Sequence, residues 1–146
     1  MHAFRFADRR FHALPERALW WDARKALLVA DLHLEKASWY ARRGQMLPPY
    51  DTHATLAQLV ALAERTGAEE IWALGDSFHD ADGPDRIGAA AREQLERLAR
   101  GRSVRWIDGN HDAQAALPGE RCTEAIVDGI VLRHEASPAE SGYEIS

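Results

Sequence analysis

The sequence predicts an α/β fold built on a parallel sheet. Short apolar segments alternate with longer segments in which apolar residues recur every three or four positions, as strands alternating with amphipathic helices do. The apolar run at residues 26–30 is bounded by charged residues, which is typical of a strand covered on both faces. Strands and helices in this alternation form a parallel sheet with right-handed crossovers.

Two further strands are predicted before that run. Arg9–Leu14 and Ala18–Trp21 favour strands, and the Pro-Glu pair between them favours a turn. The strand at residues 26–30 follows and ends at Asp31.

Two helices are predicted between the later strands. Asp51 can cap a helix that runs to about Thr66, because its apolar residues share one face. After a turn-rich stretch, Asp85 can cap a second helix that stops at Gly101. The first helix is followed by a predicted strand at residues 71–74, and the second helix is followed by one at residues 104–107.

The last part of the chain predicts a hairpin. Residues 122–127 and Ile130–Arg133 favour strands, and they flank Asp128 and Gly129. An Asp-Gly pair between apolar segments is the strongest short-range signal for a tight turn between antiparallel strands.

Length and composition indicate a single domain over residues 1–146. The net charge of −5 argues against a protein that binds nucleic acid through a broad excess of positive charge. The single cysteine excludes an intramolecular disulfide.

Because no apolar run is long enough to cross a bilayer and the N-terminus lacks a signal-peptide core, we expect a cytoplasmic protein with no membrane partner.

Polar side chains capable of metal chemistry gather where the predicted strands end. Ligands of open α/β sheets bind at the carboxyl ends of the strands, where successive loops converge. Four segments occupy such positions: Asp31 with His33, Gly75 with Asp76, Gly109-Asn110-His111-Asp112, and His134 with Glu135. Each motif alone is weak, and their joint placement predicts a metal site.

The residue types favour a pair of divalent cations. Asp31 and His33 lie two positions apart, so in an extended strand end both side chains point the same way and can bind one metal ion. Asp76 can bridge, and Asn110 and His134 can complete the second metal ion's ligands. Mixed oxygen and imidazole ligands suit Mn, Fe or Zn, and the absence of thiolates argues against a structural zinc site.

Two metal ions about 3.5–4 Å apart form the arrangement that clamps a phosphoryl group during in-line displacement. His111 follows the predicted ligand Asn110 without being an obvious ligand itself. We therefore predict that His111 protonates the leaving group or stabilises the charge of the transition state, and that Asp112 fixes its tautomer.

These motifs resemble those of the calcineurin-like metallophosphoesterase superfamily. Residues 29–36, 42–50 and 75–80 resemble, more narrowly, the bacterial ligase-associated phosphoesterases linked to the DNA damage response. The resemblance implies a four-layer α/β/β/α fold in which two sheets are flanked by helices. It also implies the same ligand assignment: Asp31 and His33 on one metal ion, Asp76 bridging, and Asn110 and His134 on the other.

The family pattern also includes a Gly-His-x-His motif shortly after the position of His134, and this sequence stops at Ser146 without it. Tyr143–Ile145 resembles the start of the strand that leads to that motif. We therefore expect a C-terminally incomplete chain in which each metal ion has three protein ligands and binds more weakly.

The roles of several polar residues stay open at this point. His79 can support the site or touch substrate, and a turn histidine without a metal role is an equal alternative. Lys36, Arg42 and Arg43 can hold the phosphate backbone of a substrate, and a solvated basic face is the simpler interpretation.

The leading hypothesis is a metal-dependent phosphoesterase that hydrolyses phosphodiester or phosphomonoester bonds. Mn is the preferred metal, with Fe and Zn as alternatives, and DNA or RNA is a candidate substrate. The subgroup resemblance implies a role in bacterial DNA repair alongside other repair proteins. A non-catalytic scaffold and an inactive truncated fragment are the alternatives, and the retention of His111 beside Asn110 argues against the scaffold.

Overall fold

A seven-stranded mixed sheet is the largest element of the computed structural model, which describes residues 1–45, 51–78, 82–107, 117–138 and 142–146. The strand order follows the chain, from β1 to β7. The strands are β1 His2–Phe6, β2 Arg9–Leu14, β3 Ala18–Trp21, β4 Ala26–Val29, β5 Glu70–Leu74, β6 Ser103–Ile107 and β7 Glu120–Cys122. The predicted α/β fold is confirmed.

Strand pairing in the sheet changes from antiparallel to parallel at β4. The strands from β1 to β4 form an antiparallel meander, and those from β4 to β7 are parallel. Ala73 of β5 pairs with Val29 of β4 and with Trp106 of β6. The carboxyl ends of β4, β5 and β6 therefore meet at one edge of the sheet, as the sequence predicts.

Helices cover one face of this sheet. They are α1 Lys36–Ala41, α2 Asp51–Thr66 and α3 Ala89–Ala99. The long helices α2 and α3 bury their apolar faces against the strands in one cluster, which includes Leu27, Leu56, Val60, Ile71, Leu95 and Leu98. This packing explains why the periodicity of apolar residues predicts both helices.

A second, three-stranded sheet covers the opposite face. It contains β8 Glu124–Val127, β9 Ile130–Arg133 and β10 Tyr143–Ile145 in the order β10-β9-β8. The hairpin of β8 and β9 is confirmed, and both of its turn residues have positive φ, 51° at Asp128 and 80° at Gly129. Its apolar side chains join those of the large sheet in a second cluster, which includes Phe11, Trp21, Leu28, Trp72, Ile107, Val127, Ile130 and Leu132.

Two predicted boundaries are wrong. Asp85 does not cap α3, because residues Gly83–Arg86 form a separate 3-10 helix and Ile87 is extended, so α3 starts at Ala89 after Gly88. The predicted strand at 122–127 is two strands, since Cys122 pairs with Ile107 in the large sheet and Ala125 pairs with Leu132 in the small one.

Two short elements were not predicted. β1 is an edge strand with four of its five residues exposed, and its aromatic side chains pack along β2, where the Phe4 and Phe11 rings stack at 5.8 Å. α1 is only six residues long, too short for a helical period to be visible in the sequence. Among the described residues, no helix is long and apolar enough to span a membrane.

Candidate metal centre

The loops after β4 and β5 are joined by backbone hydrogen bonds beyond the ends of their strands. The amide of Asp31 donates to the carbonyl of Gly75 (3.3 Å), and that of His33 donates to the carbonyl of Asp76 (2.9 Å). The amide of Leu34 donates to the carbonyl of Ser77 at 2.8 Å. These bonds hold the two loops in register, so the side chains that they carry have fixed relative positions.

The backbone of these loops is unusual. Asp31, His33 and Glu35 have φ values of 52°, 47° and 63°, and Asp76 has a φ of 45°. Left-handed backbone at residues other than glycine costs about 1–3 kcal/mol each and clusters at functional sites. The sequence predicts an extended strand end that aims Asp31 and His33 the same way, and the structure replaces it with this left-handed geometry.

Asp31, His33 and Asp76 lie together. Each offers one ligand atom, and these atoms are all within 4.8 Å of one another. Both carboxylates are exposed, and His33 is half-buried. Two carboxylates and one imidazole are a donor set that suits Mn, Fe or Zn. This group can therefore hold a divalent cation, as the resemblance implies.

His134 approaches the same group from the small sheet. It follows β9, and its Nε2 atom lies 3.4 Å from Oδ1 of Asp76. The approach depends on Gly75, because a Cβ atom at that position would lie 1.8 Å from Nδ1 of His134. Asp76 therefore contacts His134 and also lies within 4.8 Å of the potential ligand atoms of Asp31 and His33.

A set of hydrogen bonds that the sequence did not predict holds the loop after β4 in place. The Glu35 amide donates to Oγ1 of Thr52 (2.8 Å), and that hydroxyl donates to Oε2 of Glu35 (2.6 Å). Arg86 donates from Nη2 to the Glu35 carbonyl (3.2 Å) and from Nε to Oγ of Ser38 (2.9 Å). We call these four residues the Glu35 cluster. They fasten the loop to α2 and to the segment after β5.

The predicted residues Asn110, His111, Asp112 and His79 lie outside the described residues. β6, the strand that precedes the first three, ends at Ile107 opposite Leu74, one residue before Gly75. Their assignment stays a prediction from the sequence.

α1, which starts three positions after His33, and the turn that follows it carry exposed basic side chains. Lys36, Arg42 and Arg43 are exposed. The Arg43 guanidinium lies 3.8 Å from the centre of the Trp39 ring, and the Trp39 and Tyr40 rings meet edge to face at 4.8 Å.

The fold and the side-chain group define a class: α/β proteins with a carboxylate and imidazole site at the strand ends of a mixed sheet. A solved structure, the nuclease MPE of Pseudomonas putida, is similar to the chain with a TM-score of 0.75 and 28% sequence identity. The alignment covers 98% of this chain and 70% of that protein. No protein-family model and no curated protein gives a significant match to the sequence.

Proposed function

We propose that this protein is a metal-dependent phosphoesterase that cleaves phosphodiester bonds of nucleic acid. The observation that carries the proposal is the group of Asp31, His33 and Asp76 at the strand ends, in a chain similar to a nuclease over 98% of its length. Without a cation, two exposed carboxylates would repel a phosphodiester, so the group makes chemical sense as a ligand set.

The proposed ligand assignment is taken from the sequence pattern, and the meeting of Asp31, His33 and Asp76 in the structure supports part of it. Asp31 and His33 would hold one metal ion, Asp76 would be shared, and His134 with Asn110 would hold the second. A bound pair of divalent cations supplies Lewis acidity and an activated water. His111 gives a proton to the leaving oxygen, and Asp112 keeps its imidazole in the required tautomer. His134 supports the sharing of Asp76, because it contacts Oδ1 of that carboxylate.

Finer features belong to the same proposal. Residues 1–146 act as one domain of the four-layer phosphoesterase fold, and the observed order of helices, large sheet and small sheet supports three of its layers. Mn is the preferred metal, with Fe and Zn as alternatives. The protein works in the cytoplasm, in bacterial DNA repair with other repair proteins.

The first test replaces the shared carboxylate. Asp76→Asn keeps a residue type that tolerates left-handed backbone and removes the negative charge. Loss of partners outside the ligand set already costs about 10–100-fold in metal affinity or activity, so we expect a loss of at least about 100-fold for a shared ligand. Hydrolysis of bis(p-nitrophenyl) phosphate with added Mn²⁺ and calorimetric Mn²⁺ binding measure the effect.

The matched control is Asp8→Asn. Asp8 is also an exposed aspartate with left-handed backbone (φ 57°), in the turn between β1 and β2. We expect it to keep wild-type hydrolysis and Mn²⁺ binding. If Asp76→Asn binds and hydrolyses like this control, the proposed metal centre is wrong, and absence of Mn²⁺ uptake by the wild type would favour a scaffold.

A further inference from the structure

The segment from α1 to the turn after it is a strongly basic part of an acidic protein. Residues 36–45 contain Lys36, Arg42 and Arg43 and no acidic residue, while the chain as a whole has a net charge of −5. All three cations are exposed, and among the described residues none of them has an acidic partner. Their charge is therefore available to an external anion.

This segment starts beside the candidate metal centre. His33 belongs to the ligand group, and Lys36 follows three positions later. At about 1.5 Å of rise per helical residue, the seven positions from Lys36 to Arg43 span about 10 Å. This length corresponds to about three nucleotide steps of about 3.4 Å along a strand.

The helical geometry places two of the three charges and the aromatic rings together. Lys36, Trp39, Tyr40 and Arg43 are spaced by three and four positions, so they share one face. The amide of Arg43 donates to the carbonyl of Tyr40 (3.0 Å), which continues the helical turn beyond Ala41.

Arg43 is held in place before any ligand arrives. Its guanidinium lies over the Trp39 ring, and its Nη1 atom donates to the Trp39 carbonyl at 3.4 Å. A guanidinium stacked on a ring retains its charge and most of its donors, so less side-chain entropy is lost when it binds a phosphate.

We propose that Lys36, Arg42 and Arg43 bind the sugar-phosphate backbone of a nucleic acid strand next to the phosphate that is cleaved. The inference rests on the proposed function and assigns the path of its substrate. Because the contacts are to phosphates, they contribute affinity and position but no base specificity.

The test measures the salt dependence of binding. Each phosphate contact to a single strand contributes about 0.7 to the slope of log affinity against log salt concentration, so neutralising three contacts lowers the slope by about 2. The variant is Lys36→Gln/Arg42→Gln/Arg43→Gln, with an oligothymidylate as the probe, in EDTA to prevent cleavage. Mn²⁺-dependent hydrolysis of bis(p-nitrophenyl) phosphate by the wild-type protein is measured separately, so that the proposed function has its own readout.

A matched triple variant controls for total charge. Arg5→Gln/Arg9→Gln/Arg10→Gln removes three arginines from β1 and β2, two to three strands away from β4. This control keeps the wild-type slope. The double variant Lys36→Gln/Arg42→Gln leaves the stack of Arg43 on Trp39 intact and lowers the slope by about 1.4, which keeps the test decisive if the triple variant does not fold.

The outcomes separate this inference from the proposed function. The inference is overturned if the α1 variants keep the wild-type salt slope, or if the β1 and β2 control loses as much slope as they do. Neither result bears on the proposed phosphodiester hydrolysis. A wild-type protein that lacks Mn²⁺-dependent hydrolysis but shows the α1 slope change overturns the proposed function alone.

Discussion

The absence of a side chain at Gly75 allows His134 to approach Asp76. Its φ of +73° suits glycine, and its missing side chain leaves the space that the His134 ring occupies. The sequence places a Gly-Asp pair at the end of a strand, which a turn would explain equally well. The structure supplies the more specific reason, which is the close approach of an imidazole from another sheet.

Gly75→Ala should displace His134. The left-handed backbone costs about 1–2 kcal/mol with any side chain, and the clash with the His134 ring adds to that cost. We expect a lower free energy of unfolding in urea together with weaker Mn²⁺ binding.

Gly67→Ala is the control for this substitution. Gly67 has a similar φ of +69°, and nothing lies within 4 Å of a Cβ atom there. It should show the backbone cost of about 1–2 kcal/mol and unchanged Mn²⁺ binding. Equal effects of the two variants on Mn²⁺ binding would contradict the role assigned to Gly75.

At the level of structural elements, the position of the loop after β4 depends on the hydrogen bonds of the Glu35 cluster. Thr52 lies near the start of α2 and is only 6% exposed, and its hydroxyl makes two hydrogen bonds to Glu35. The loop that carries Asp31 and His33 is thereby fastened to a long helix.

Thr52→Val should loosen this attachment. The side chain keeps its shape but leaves the Glu35 amide without a partner, which costs about 1–3 kcal/mol for a buried donor. We expect a lower melting temperature and weaker Mn²⁺ binding, measured by calorimetry.

The same helix offers the control Thr66→Val. The Thr66 hydroxyl donates to the Leu62 carbonyl at 2.8 Å, at the other end of α2 and away from the loop. Its removal should leave Mn²⁺ binding unchanged. A Thr52→Val variant with wild-type Mn²⁺ affinity would show that the Glu35 cluster does not position the ligands.

The sequence predicts what depends on local pattern. The bounds of β2, β3 and β9 and the end of α2 are confirmed, because turn residues and apolar periodicity mark them. The meeting of Asp31, His33 and Asp76 follows from the rule for strand ends. The Glu35 cluster could not be predicted, since its hydrogen bonds join residues 17 and 51 positions apart with no periodic signal.

In the whole molecule, two apolar clusters lie on opposite faces of the large sheet. The helices close one, and the small sheet closes the other. At the edge remote from the metal centre, Arg24 links the sheets by contacting Glu70 of β5 (2.8 Å) and Asp128 of the hairpin turn (3.3 Å). The small sheet is therefore attached at its centre and at this end.

Ile130→Ala tests the central attachment. Ile130 is fully buried between the sheets, so its truncation should cost about 2–5 kcal/mol of unfolding free energy in urea. Ile126 on the same hairpin is 73% exposed, and Ile126→Ala should change stability by no more than about 0.5 kcal/mol. Similar costs for both would mean that the small sheet does not pack as described.

The contact between His134 and Asp76 joins residues from the two sheets, and this has a consequence for the lifetime of the protein. A divalent cation bound by both side chains would connect the two sheets at the end opposite Arg24. A ligand that binds only the folded state at a hundred times its Kd adds about 2.7 kcal/mol of stability. We therefore expect an added divalent cation that binds this site, tested with Mn²⁺, to slow proteolysis of the chain independently of any turnover.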